Sequence, residues 1–124
     1  MTYEESQLLY KDLCARVPYG VKYHWKGRTT EDELPHVLGE MNSWMIYYIH
    51  EGFVKPYLRS MSSLTPSELD EYSEIENAIS DYDVDSATAS GALTDWLNEH
   101  HIDYHGLIRK GLALEAPEGM YDKQ

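Results

Sequence analysis

The chain has 124 residues, 42% of them hydrophobic, which suits one domain with a buried core and excludes a disordered protein. Its formal net charge of −12 disfavours direct binding to nucleic-acid phosphates or to anionic membranes. A single cysteine, Cys14, excludes an intramolecular disulfide and a thiolate metal cluster, and without a signal-peptide pattern or a bilayer-length apolar run we expect a cytoplasmic protein.

The first half of the chain predicts one helix followed by three strands. Residues 4–17 carry apolar side chains at helical spacing, with acidic residues at the start and basic ones towards the end. Residues 21–26 alternate between two faces and indicate a strand with one buried face. Residues 32–41 indicate a strand at a sheet edge, because Pro35 lacks a ladder donor. Residues 43–53, rich in β-branched and aromatic side chains, predict a third, central strand in an antiparallel meander.

The second half of the chain predicts helices. Residues 54–64 predict an extended connection, since a proline biases the preceding residue away from helix. Thr65 and Glu68 form a capping-box pattern at the start of a helix that ends near residue 77 or 79. Another helix is predicted over residues 87–101, followed by one helical turn.

These elements predict a single α+β domain over residues 1–124. It would have an N-terminal helix, a three-stranded antiparallel sheet, and two to three C-terminal helices packed on the sheet. Residues 117–124 are predicted to fray. The patterns do not predict an oligomeric state.

The stretch NEHHIDYHG, residues 98–106, gathers three histidines and an aspartate near the chain's end. His101, Asp103 and His105 are the candidate metal ligands, and His101 and His105 share a helix face if the helix continues. Gly106 indicates instead that the helix has ended, and histidine near a helix C-terminus interacts well with the helix dipole. We expect a helix-ending junction, with His101 and Asp103 forming hydrogen bonds and His105 facing solvent. A metal site or a His–Asp acid–base pair stays open as the alternative.

A second acidic pattern is Asp81, Asp83 and Asp85, the opening spacing of a calcium-binding loop. Such a loop needs glycine at its sixth position and glutamate at its twelfth, where this chain has Ser86 and Ala92. The pattern therefore favours acidic residues before a helix N-terminus over a calcium site.

Two features suggest a surface for a protein partner. Tyr57 and Arg59 lie in a polar and aromatic connector, which either contacts a partner or fixes the crossover to the next helix, with Arg59 paired to a carboxylate. The segment from Ser60 to Ile108 has eleven Asp and Glu and no Lys or Arg. This charge segregation indicates an electrostatic surface for a basic protein, or only a solubilising face.

Three blocks of the chain, LYKDLCARVPYGVK, VKPYLRSMSSLT and WLNEHHIDYHGLIRKGLALEAPEGMY, resemble a group of small proteins common in gut Bacteroidetes genomes and their phages or mobile elements. The resemblance implies no established activity and no catalytic residues. Its members typically carry arginine at the position of His105 and keep the preceding His-His-x-Asp-Tyr pattern. The resemblance thus implies that His101, Asp103 and Tyr104 form a fixed structural junction.

From these observations we expect a non-enzymatic protein-interaction module associated with phage or mobile elements, without a cofactor. One alternative is an acidic inhibitor that imitates nucleic acid and blocks a basic host or phage protein. The other is a small metal-dependent enzyme built on the His100–His105 cluster. No phosphate-binding glycine loop, nucleophile elbow or paired-cysteine spacing supports an enzyme.

Overall fold

The computed structural model describes residues 1–26, 31–81 and 86–121. Its first element, helix α1, spans Tyr3–Arg16, which confirms the predicted N-terminal helix. A capping box begins it: the Glu5 backbone N–H donates to Thr2 Oγ1, and the Thr2 backbone N–H donates to Glu5 Oε1. Leu9 and Leu13 on its inner side are fully buried.

Four strands form one sheet in the order β2–β1–β3–β4. They span Lys22–Lys26 (β1), Glu31–Val37 (β2), Val54–Leu58 (β3) and Leu114–Glu115 (β4). β1 pairs antiparallel with β2 and with β3, whereas β3 pairs parallel with β4. The α+β class is confirmed, and β2 lies at an edge as predicted. The three-stranded antiparallel sheet is wrong in detail, because the chain returns after the helices and adds a short parallel strand.

The predicted central strand over residues 43–53 is instead helix α2, Ser43–His50. Asn42 caps it, since its Oδ1 accepts the Met45 backbone N–H at 2.9 Å. Ile49 is fully buried, while Trp44 is 71% exposed. The chain leaves the helix through Gly52, whose φ of +80° suits glycine. The central strand β3 comes from residues that the sequence predicted to be an extended connection.

Helices α3 (Pro66–Asp81) and α4 (Ser86–Glu99) form the rest of the fold. The predicted capping box is present at the start of α3, where Thr65 and Glu68 bond each other's backbone N–H. The two helices pack around a small cluster of their own, made by Leu64, Trp96 and Ile102. Among the described residues, the main packing of α3 and α4 is against this cluster, each other and α1, whereas the sequence predicted that they pack on the sheet.

The main core is made by α1, α2, the sheet and the segment that follows α4. Its buried members are Leu9, Leu13, Val21, Leu38, Ile49, Val54, Leu58, Leu107, Leu112 and Ala113. Because α1 also contacts α4, it joins the main core to the helical pair. The turn after α4 lies at this meeting point.

Candidate functional site around His101

The chain turns sharply where α4 ends. His101 has a φ of +61°, in the left-handed region that a side chain with a Cβ seldom adopts. Its backbone N–H donates to the Asn98 carbonyl at 3.1 Å, and the Ile102 N–H donates to the Leu97 carbonyl at 2.9 Å. These bonds satisfy carbonyl groups at the end of the helix.

The turn is fastened to the end of β3 through Arg59. The Arg59 backbone N–H donates to the His101 carbonyl, and the Asp103 N–H donates to the Arg59 carbonyl, both at 2.8 Å. The two Asp103 carboxylate oxygens accept the Leu107 and Ile108 backbone N–H groups at 2.8 and 2.9 Å. Asp103 therefore shapes the turn that follows, with both oxygens occupied.

A buried ion pair on α1 contacts the same turn through the Ile102 carbonyl. Asp12 and Arg16, one helical turn apart, are both fully buried, with 2.6 Å between Arg16 Nε and Asp12 Oδ1. Arg16 Nη2 donates to the Ile102 carbonyl at 2.7 Å, and the guanidinium lies 5.1 Å from the ring centroid of Tyr104. The sequence shows the i,i+4 spacing of this pair but not its burial, so the prediction missed both residues.

The sequence predicted that His105 faces solvent, but in the structure one side of its ring contacts α1. Its Nδ1 lies 2.7 Å from Asp12 Oδ2, and its side chain is 31% exposed. The neighbouring Tyr104 hydroxyl donates to Asn98 Oδ1 at 2.8 Å. The two residues that follow Asp103 are thus tied to α4 and to α1.

His101 is the most unusual side chain of the turn. It is 7% exposed, its Nδ1 is buried without a hydrogen-bond partner, and its ring stacks on Tyr121 with 3.7 Å between centroids. Burial, reinforced by the positive charge of Arg16 and Arg59, lowers its pKa to about 4. The imidazole is therefore neutral at pH 7, with one nitrogen able to accept a hydrogen bond.

Tyr121 lies in the segment predicted to fray, yet it is held by three parts of the fold. Its hydroxyl accepts the Lys22 backbone N–H at 2.8 Å and donates to the Tyr57 carbonyl at 2.7 Å, while its ring covers His101. Burial raises the pKa of Tyr121 to about 12. The Tyr57 ring, a predicted partner contact, is half-buried and lies edge-on to His24.

Arg59, the other predicted partner contact, forms a bidentate ion pair with Glu68. Its Nη2 and Nη1 donate to Glu68 Oε1 and Oε2 at 2.7 and 2.9 Å. The hydrogen bond from Arg59 lowers the pKa of Glu68 to about 2. The pair joins the end of β3 to the first turn of α3, which is the crossover role that the sequence left open for Arg59.

These elements enclose a cleft of about 520 Å³, which we call the His101 cleft. Aromatic rings and carboxylates share its lining with Arg59 and His101: Tyr19, His100, Tyr121, Glu68, Glu71 and Glu99. Trp96 lies beside it, stacked on His100 at 4.0 Å and donating from Nε1 to Glu71 Oε1 at 3.4 Å. The cleft can therefore receive a polar or cationic group.

The candidate metal ligands do not converge. His100 stacks on Trp96, His101 on Tyr121, and His105 pairs with Asp12. Within the described ranges, no group of three or more His, Cys, Asp or Glu residues could hold a metal ion. Asp83 and Asp85 of the calcium-like pattern lie outside the described residues.

Comparisons with protein-family models, with curated proteins and with solved structures found no match. Among the residues that the structure describes, no helix is long and apolar enough to cross a membrane.

Proposed function

We propose that the protein is a non-enzymatic interaction module that binds a basic segment of another protein. The supporting observation is the outer side of α3, where Asp70, Glu74 and Glu76 are exposed. We call these three carboxylates the acidic face. Since α3 packs through Tyr72 and Ile75 against the small core cluster, the acidic face points away from that cluster.

The charge distribution supports a basic partner. All ten Lys and Arg residues lie at or before Arg59 or at or after Arg109, and the segment from Ser60 to Ile108 contains eleven Asp and Glu. A surface of one sign accelerates encounters with an oppositely charged partner and repels partners of like charge. This argues for a protein with clustered lysines or arginines and against direct nucleic-acid binding.

A nucleic-acid mimic would use the same surface and differs only in the partner, which would itself be a nucleic-acid-binding protein. The metal-enzyme alternative has no support from the geometry, because its candidate ligands serve separate structural contacts. The association with phage or mobile elements rests on the sequence resemblance alone and stays a prediction.

The test compares two triple variants of equal net charge. Asp70→Asn with Glu74→Gln and Glu76→Gln removes three charges from the acidic face. Glu4→Gln with Glu51→Gln and Glu118→Gln removes three exposed charges from other surfaces. The probe is a fluorescent synthetic peptide of alternating arginine and alanine, long enough to follow the length of α3.

We expect the acidic-face variant to bind the peptide about tenfold more weakly and the control to change by about twofold or less. The affinity of the unmodified protein should fall as salt is raised, because screening weakens contacts between exposed charges. Equal losses in both triple variants would mean that only net charge matters and would refute the proposal. If a DNA-binding domain displaced the peptide from the protein, the result would favour the nucleic-acid mimic.

A further inference from the structure

We propose that the His101 cleft binds the guanidinium of an arginine side chain of the partner. This inference rests on the proposed function, since it assigns one anchoring residue within the basic segment. It concerns a different part of the surface from the outer acidic face, and the two can be tested separately.

The first argument is charge. Three carboxylates, Glu68, Glu71 and Glu99, line the cleft together with one guanidinium, that of Arg59, so its formal net charge is −2 when the imidazoles are neutral. Arg59 forms its bidentate pair with Glu68. Glu71 and Glu99 come from different helices and are both exposed, so an entering cation meets carboxylates on two sides.

The second argument is the unsatisfied nitrogen. His101 lines the cleft, is more than nine-tenths buried, and has no hydrogen-bond partner at Nδ1. A buried polar atom without a partner is uncommon and calls for an explanation. A neutral imidazole nitrogen accepts a hydrogen bond from an N–H donor, and a guanidinium carries five such donors.

The third argument is the aromatic lining, which favours arginine over lysine. The aromatic residues Tyr19, His100 and Tyr121 line the cleft. A planar guanidinium stacks on such rings and still donates in its plane to carboxylates, whereas an ammonium is a compact, strongly hydrated charge. The fit is therefore to a planar cation with several donors.

Three blocked pentapeptides serve as probes, each with alanines around a central arginine, lysine or citrulline. Citrulline keeps the shape of arginine and lacks its charge. Binding to the ¹⁵N-labelled full chain is followed through the three tryptophan indole N–H signals, because Trp96 donates to Glu71 beside the cleft. The arginine peptide should shift the Trp96 signal and leave those of Trp25 and Trp44 in place. Lysine should bind more weakly, and citrulline should leave all three unchanged.

Two double variants localise the binding. The double variant Glu71→Gln with Glu99→Gln should bind the arginine peptide about tenfold more weakly than the unmodified protein. The control variant, Glu74→Gln with Glu76→Gln, changes two carboxylates of α3 outside the cleft and should alter the affinity by about twofold or less. Dispersed spectra would show that each variant is folded. Equal losses in the two pairs, an unmoved Trp96 signal, or no binding of the arginine peptide would overturn this inference. In each case, the longer peptide would still test the acidic face independently.

Discussion

At the scale of single residues, Asp12 and Arg16 bring a full ion pair into the core. Arg16 bonds both Asp12 oxygens and the Ile102 carbonyl, and His105 bonds the same carboxylate. Removing one partner from such a pair leaves an uncompensated buried charge, which costs more than the intact pair contributes. The network therefore holds the turn after α4 against α1.

We predict that Asp12→Asn lowers the free energy of unfolding by roughly 3–5 kcal/mol, because the Arg16 charge loses its counterion inside the core. Urea denaturation followed by circular dichroism measures the change. Asp70→Asn, which neutralises an exposed carboxylate, should change it by less than about 0.5 kcal/mol. A loss for Asp12→Asn as small as that of Asp70→Asn would contradict the burial of the pair.

His101 predicts a dependence of stability on pH. Its pKa is about 4 in the folded protein and 6.5, the ordinary value for histidine, in the unfolded chain. Between these two pH values, the unfolded chain therefore binds more protons than the folded protein. Stability should be fully present above pH 6.5 and should fall by roughly 3 kcal/mol as the pH decreases through 4.

The variant His101→Asn tests this assignment, because asparagine tolerates a positive φ and does not titrate. The loss of stability between pH 6.5 and 4 should shrink in His101→Asn and persist in His36→Asn on β2. An unchanged pH profile in His101→Asn would assign the dependence to other groups. Glu68 acts in the same direction at lower pH, since its pKa of about 2 makes its contribution decline below 4.5.

At the scale of elements, the segment after α4 closes the fold. It supplies β4 beside β3, and its Tyr121 joins β1, β3 and the His101 turn through one hydroxyl and one ring. Its apolar residues, Leu107, Leu112 and Ala113, belong to the main core. The segment therefore contributes to stability out of proportion to its small amount of regular structure.

We predict that Tyr121→Phe lowers the free energy of unfolding by roughly 1–3 kcal/mol, because the Lys22 N–H and the Tyr57 carbonyl both lose their partner. Tyr3→Phe is the matched control, since the Tyr3 side chain is 71% exposed and the same oxygen is removed. Thermal unfolding of both variants measures the difference. Equal stability of the two would show that the Tyr121 hydroxyl contributes nothing.

The elements also show where local patterns mislead. Residues 43–50 have the aromatic and β-branched composition of a strand, yet Met45, Tyr48 and Ile49 contact the main core at helical spacing. Asn42 is a favoured N-cap residue and indicated a helix start, but the strand-like composition of the residues that follow it outweighed this indication in the prediction. Pro56 likewise discouraged a strand over residues 54–58. In the structure, β4 pairs only with Tyr57 and Leu58, the two residues after Pro56. The missing N–H of Pro56 therefore costs no hydrogen bond to β4.

At the scale of the whole molecule, charge is divided between two regions. The helical pair contains no Lys or Arg, whereas the sheet and α1 carry basic residues such as Lys22, Lys26 and Lys55. Like charges close together on α3 repel one another and destabilise the compact state. This repulsion is expected of an acidic surface that, as we propose, binds a basic partner.

We predict that the melting temperature rises by roughly 3 °C when salt is raised from about 10 mM to about 150 mM, as the Debye length shortens from about 30 Å to about 8 Å. The rise should be smaller in the variant that neutralises Asp70, Glu74 and Glu76. The triple variant at Glu4, Glu51 and Glu118 has the same net charge and should keep most of the rise. Identical salt effects in the two variants would argue against concentrated repulsion on α3.

Local patterns determined the α+β class, α1, β1, the edge position of β2 and the capped start of α3, because each depends on residues close together in the sequence. The candidate site was only partly predictable. The sequence drew attention to His101, Asp103 and Arg59, but the cleft also needs Tyr19, Glu71 and Tyr121, which lie far apart along the chain.

The remaining features depended on contacts between residues far apart in the sequence. Residues 43–50 form a helix although their composition favours a strand, because Met45, Tyr48 and Ile49 then pack on the main core together. Whether Arg16 was a surface charge or a buried one depended on the carbonyl of Ile102, 86 residues away. Long-range contacts of this kind leave no periodic signal in either segment. The capped start of α3, the alternation of β1 and the charge segregation follow from the local sequence, whereas packing decided which polar groups were buried and which met at the His101 cleft.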